Sequence, residues 1–149
     1  MNDLETAKNR LNQQNLTLTI VKNGTVLYET TSRRISGFLN AIDQLGTKLK
    51  GASAADKIAG KAVALLCVYA GISQIYAEIL SKKAETVLQQ NQIPYQYKQL
   101  VDTILNLNRT SVCPFEKIAE GISDPEKAYH AFKTLQQSFK WTTSIRENF

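Results

Sequence analysis

Between Ala62 and Tyr69 the chain reads Ala-Val-Ala-Leu-Leu-Cys-Val-Tyr, with no charged or amide side chain on any face. A helix of that kind has to be covered on all sides. The apolar stretch ends by Ile72, far short of the roughly 20 residues that cross a bilayer. The cover must therefore be other parts of the chain. With 149 residues the chain has the size of one compact domain, which can bury about two-thirds of its unfolded surface. We expect a single domain over 1–149, with an N-terminal helix over 1–14 and a C-terminal helical extension over 123–149.

The segments on either side supply the cover. Asp3 to Asn12 reads as a polar helix with a stripe at Leu4, Ala7 and Leu11. Leu16 to Val21 and Thr25 to Thr30 are alternating and β-branched around Asn23-Gly24, a strong hairpin signal. Ile35 to Leu45 repeats apolar residues at helical spacing and ends at Gly46. Ser53 followed by Asp56 has capping-box spacing, which predicts that the central helix starts at Ser53 and runs to Tyr69. Gly71 stops it. Gln74 to Leu80 then reads as a strand, Ser81 caps a helix to about Asn91, and Tyr95 to Tyr97 is a short strand. Val101 to Leu107 is ambiguous, and Asn108 to Val112 is a loop. Pro114 opens a short helix to Ala119, and Asp124-Pro125 starts a last helix with a stripe at Ala128, Phe132, Leu135 and Phe139. A hairpin followed by alternating helix and strand implies an α/β fold, with a mixed sheet between helical layers (α/β/α).

Several residues carry chemistry. A strand sends its following helix off its carboxyl edge, where ligands bind in α/β sheets. Helix starts at Ser53 and Ser81 would bring free N–H groups together there, with Lys57 and Lys61 one turn apart on one face. That constellation suits an anion such as a phosphate. The plain alternative is that the serines are caps and the lysines reach to solvent. Lys61 sits where the helix turns apolar, so its ammonium wants a partner, for which Asp56 and Glu116 are candidates. Gly60-Lys61 is not a phosphate loop: Ala62 stands where Ser or Thr must hold magnesium. Gly60 is better explained by close packing.

The second constellation runs from Asn108-Arg109 to Cys113-Pro114-Phe115-Glu116. A thiol at the start of a helix faces unpaired amides, which lowers its pKa, and Arg109 adds to that. Cys113 is thus a candidate nucleophile, and Glu116 a candidate partner or the closer of a capping box in its own helix. Cys67 reads as a small buried hydrophobe, and His130 as a surface histidine. No His-Glu-x-x-His or Cys-x-x-Cys spacing marks a metal site, and the sequence leaves the cofactor unknown. The formal charge is +5, but the cations are spread along the chain and not interleaved with aromatics, which disfavours nucleic acid. The N-terminus lacks the pattern of a secretory signal, so we expect a cytoplasmic protein.

Taken together, Asp56-Lys57-Ile58-Ala59-Gly60-Lys61-Ala62, Leu80-Ser81-Lys82-Lys83-Ala84, and Asn108-Arg109 with Cys113-Pro114-Phe115-Glu116 resemble a bacterial and archaeal family known as domain of unknown function 1893. The likeness runs from about Leu16 to Glu116. The family more often has Met where this chain has Phe115. The family is similar in fold to cytidine deaminases, which implies a mixed sheet sandwiched by helices. Zinc deaminases carry their metal ligands and proton-shuttling Glu at two helix starts. Here Asp56 and Lys57, and Ser81 and Ala84, stand where His-x-Glu and two cysteines are needed, so the resemblance does not extend to zinc chemistry.

Three readings follow. The first is a small-molecule site in a deaminase-like cleft, taking a phosphorylated or nucleotide-like ligand through Ser53, Lys57, Lys61, Ser81, Asn108 and Arg109. Asp56, Cys113 and Glu116 would then be available for chemistry. The second is a non-catalytic interaction module in which these residues hold helix ends. The third, nucleic-acid binding, ranks last. A homodimer is the common state for small enzymes.

Overall fold

The computed structural model describes residues 2–33, 35–105 and 111–143. Its centre is a five-stranded mixed sheet in the order β2-β1-β3-β4-β5. β1 (Leu18–Lys22) and β2 (Thr25–Thr30) form the hairpin, and the turn residues Asn23 and Gly24 both have positive φ, 51° and 79°. Two left-handed residues in a row match the twist of the flanking strands, which is why Asn-Gly stands here. The Asp3 carboxylate accepts hydrogen bonds from both turn amides, at 2.7 and 2.9 Å. This ties the hairpin to the start of α1 (Asp3–Gln13).

The central strand is β3 (Ser53–Ala59), antiparallel to β1 and parallel to β4 (Gln74–Ser81). This corrects the expected helix start. Ser53, Asp56 and Lys57 lie in a strand, and α3 is confined to Lys61–Ala70. The Ser-Ala-Ala-Asp-Lys sequence has little strand preference of its own. Pairing on both edges decides it, and propensity gives way to tertiary context. The alanines also fit: Ala54 and Ala55 are fully buried on opposite faces, where helices approach closely.

α1 lies on one face, with Leu4, Ala7 and Leu11 against Val21, Ala55 and Tyr76, and the Lys8 ammonium 4.7 Å from the Tyr76 ring centre. The opposite face carries α2 (Ser36–Leu45), α3, α4 (Lys82–Gln90), α5 (Pro114–Glu120) and α6 (Pro125–Thr143). This is the three-layer α/β/α arrangement expected from the sequence. α3 sits in the middle of its layer and contacts α2, α4, α5 and α6. Residues Ala62 to Cys67 are all buried, as their unbroken apolar run requires. β5 (Tyr95–Val101) is parallel to β4 and forms an edge of the sheet. On the last helix, Phe132 and Phe139 meet Phe115 edge to face, at 6.2 and 5.7 Å. Among the described residues no helix is long and apolar enough to cross a membrane.

The strand assignment has a direct test. Ala55→Leu would push a large side chain into the space between β3 and α1. It should lower unfolding free energy by about 1–3 kcal/mol, measured by urea denaturation. On an exposed helix face the same change would be neutral.

Candidate functional site

β3 ends at Ala59, and α3 follows after Gly60 alone. Gly60 is extended (φ −100°, ψ −171°) and has no side chain with which to cap α3. The first amides of the helix are instead taken by Glu116 of α5. Its Oε1 accepts from the Lys61 amide at 2.9 Å, and its Oε2 accepts from the Ala62 amide at 2.8 Å. A β-carbon on residue 60 would lie 2.4 Å from the Glu116 carboxyl carbon, so only glycine leaves room for this carboxylate. The close packing expected at Gly60 is therefore real. Glu116 does not close a capping box in its own helix; it caps another helix, 55 residues earlier in the chain.

This contact reorders the expected anion site. The start of α3, where a phosphate would bind, holds a carboxylate of the protein itself. Ser53 is not a helix cap: it is buried in β3, and its Oγ accepts from Gln74 Nε2 at 2.9 Å. Lys57 and Lys61 do not share a helix face. Lys57, in the strand, donates to Asn15 Oδ1 at 3.3 Å, and Lys61 reaches the Glu120 carbonyl at 3.5 Å. The Lys61 ammonium forms no direct salt bridge with Asp56 or Glu116, although its charge and that of Lys83 favour the ionised form of Glu116. Ser81 caps α4 as expected, accepting from the Ala84 amide at 3.0 Å. Asn108 and Arg109 lie outside the described residues.

Beyond the Glu116 carboxylate, β3, α3 and α5 enclose a pocket of about 220 Å³. Asp56, Cys113 and Glu116 all line it, so three of the four residues expected to carry chemistry are brought together. Its other walls are largely apolar, formed by Ile35, Ile58, Val63, Ile104 and Phe115, with Thr17 and Arg33 also lining it. Sequence reasoning missed these walls, because nothing in Ile35 or Ile104 distinguishes a pocket wall from ordinary core. Ser53, Lys57 and Ser81 are not among the lining residues. Lys61 and Lys83 line a separate, open groove of about 530 Å³ beside Glu120.

The two carboxyls differ in how they are satisfied. Burial pushes Glu116 above the usual carboxylate range, and the Ala62 and Lys61 amides pull it part of the way back. Asp56 is 8% exposed and no cation pairs with it among the described residues. Loss of solvent raises its pKa to about 7, against the opposing pull of the Ile58 and Lys57 amides. Cys67, fully buried, feels the Asp56 charge, and its thiol is pushed up mainly by burial. Cys113 stands at the N-cap of α5 with Pro114 next, as expected, but makes no cap bond to the helix amides and is 7% exposed. Neither cysteine is in a disulfide. His130 is exposed, against the Tyr129 ring. Among the described residues no three His, Cys, Asp or Glu side chains gather as a metal-binding set.

A family model described as a domain of unknown function, DUF1893, matches residues 6–136. The chain belongs to the DUF1893 family. The crystal structure of a DUF1893 family protein from Thermotoga maritima shares its fold, with a TM-score of 0.80 at 21% identity over 89% of this chain and 88% of that one. No curated protein matches. Two of the motifs that suggested the family meet in this fold: the Gly60-Lys61-Ala62 turn and Glu116 are the two halves of one contact.

Two outcomes follow. Gly60→Ala and Glu116→Ala should each destabilise the protein, by about 1–3 kcal/mol for the uncapped amides in the second case. In the double variant the costs should fall short of their sum, because both changes remove the same contact. The measurement is a double-mutant cycle by urea denaturation. Asp56 should act on stability through pH. Well below pH 4 it is protonated both folded and unfolded, and costs nothing. As pH rises toward 7 the unfolded chain ionises first and stability falls; above about 7 the loss is complete. Asp56→Asn should therefore raise the melting temperature at pH 8 and have much less effect at pH 4. Equal stabilities at pH 8 would contradict the uncompensated carboxyl.

Proposed function

We propose that this DUF1893 protein binds a small molecule in the pocket between β3, α3 and α5, with the Asp56 carboxyl as its polar anchor. The observation that carries this reading is Asp56 itself: a buried carboxyl that lines a cavity and has no cation beside it among the described residues. Such a group is costly to keep in a fold unless something uses it. A nucleotide-like ligand fits this reading through its ring rather than its phosphate, because Glu116 already occupies the first amides of α3. Cys113 lines the same cavity, which meets the first requirement for a thiol nucleophile with a neighbouring carboxyl to take its proton.

The likeness in fold to cytidine deaminases belongs to the same proposal. The mixed sheet between helical layers supports it. The helix starts hold Gly60, Lys61 and Ala62 in one case and Ser81 and Ala84 in the other, with neither His-x-Glu nor a pair of cysteines. The second reading, a non-catalytic interaction module, is favoured by the caps: Glu116 and Ser81 both spend their side-chain oxygens on holding helix ends.

The test combines a thermal-shift panel of nucleosides, nucleotides, sugar phosphates and amines with alkylation of Cys113. A compound at 100 times its dissociation constant adds about 2.7 kcal/mol, or several degrees for a domain of this size. A compound that raises the melting temperature of the wild type, loses that effect in Asp56→Asn, and slows iodoacetamide labelling of Cys113 supports the site. Compounds that shift both proteins equally place the ligand elsewhere, and no shift with any compound favours the interaction module.

A further inference from the structure

The pocket has a definite chemical character. Its walls offer carbon from Ile35, Ile58, Val63 and Phe115, and two carboxyl groups, Asp56 and Glu116, open onto it. Both Glu116 oxygens accept main-chain hydrogen bonds at 2.8–2.9 Å. Asp56 receives the Ile58 amide at 3.1 Å and has no ion pair among the described residues. Among the described residues, the other charged or titratable groups around it are Arg33 before α2, Cys67 on α3 and Cys113 at α5. Arg33 is exposed and makes no ion pair with Asp56, and the two thiols bring no positive charge.

An anion placed here would meet two carboxyls across low-dielectric walls, an arrangement that costs rather than gains energy. A metal ion would find too few oxygens and would have to lose its water against carbon. A flat organic cation meets neither obstacle. Its ring replaces water along the apolar walls, and its N–H groups give the carboxylate the charged, two-point hydrogen bonds it lacks.

Resting on the site proposed above, we infer that the pocket takes a small aryl or heteroaryl cation, an amidinium or protonated amine, with Asp56 as its counter-ion. The cavity of about 220 Å³ limits the ligand to about one substituted ring. Lys61 and Lys83 line the neighbouring groove rather than this pocket, and their charges favour the ionised form of the Glu116 carboxyl.

The probes are benzamidine, benzamide and benzoate, which share a shape and differ in charge. The readout is methyl NMR of the wild type, followed at Ile35, Val63 and Ile104. The expected result is that benzamidine shifts these methyls and binds at least tenfold tighter than benzamide, with benzoate inert. In Asp56→Asn, whose fold the change should stabilise, benzamidine should lose at least tenfold in affinity while benzamide changes little. Benzoate shifting the same methyls more tightly than benzamidine would overturn the cation assignment and leave the pocket standing as a binding site. If no probe shifts these methyls, the cation assignment fails. The pocket reading fails with it only if the wider panel of compounds also leaves them unmoved.

Discussion

The Glu116 carboxylate at the start of α3 is the contact on which the rest of the molecule turns. α3 has no cap of its own, because Gly60 has no side chain, and its first amides lie in the interior, where an unpaired N–H is costly. A residue from the far end of the chain supplies both acceptors. To reach them α5 must lie against the β3–α3 turn, which brings Phe115 inward to meet Phe132 and Phe139 and so fixes α6 as well. The same placement closes one wall of the pocket. Cap, core and cavity are thus consequences of a single fork of hydrogen bonds, and Gly60 is the opening through which it passes.

Against that contact Asp56 stands out. Two carboxyls are buried within the same cavity wall. One is engaged by the main chain through both oxygens and has an evident structural task. The other lacks a counter-charge among the described residues, and its raised pKa works against folding at neutral pH. A packing role is easily served by an apolar or amide side chain, and the proposed ligand gives the carboxyl a role that packing does not. That contrast separates a structural from a functional reading of two chemically similar residues, which their sequence contexts alone do not.

Much of the architecture was legible from local chemistry. Asn23-Gly24 announces a left-handed turn, Ser81 and Pro114 mark helix starts, and the apolar run after Lys61 demands a central position; each of these signals lies within a few residues of the structure it specifies. β3 was hidden for the opposite reason. Its residues are small and polar, Ser53 and Asp56 imitate a capping box, and their strand conformation is imposed by β1 and β4 from either side. The site followed the same division. Asp56, Cys113 and Glu116 were recognisable as chemistry-bearing residues, but the partner of Glu116 is 55 residues away and no periodicity encodes it. With β3 read as a helix, Lys57 and Lys61 fell on one face, and an anion site appeared where the chain had placed its own anion.

Asp56 is a buried carboxyl with no counter-ion among the described residues, and the proposed ligand would supply one. The most direct measurement is a carbon-detected NMR titration of the Asp56 side-chain carboxyl in the unliganded wild type. The account predicts a midpoint near pH 7. A midpoint near 4, the value of a solvated or ion-paired aspartate, would contradict it and remove the physical reason for placing a ligand in this pocket.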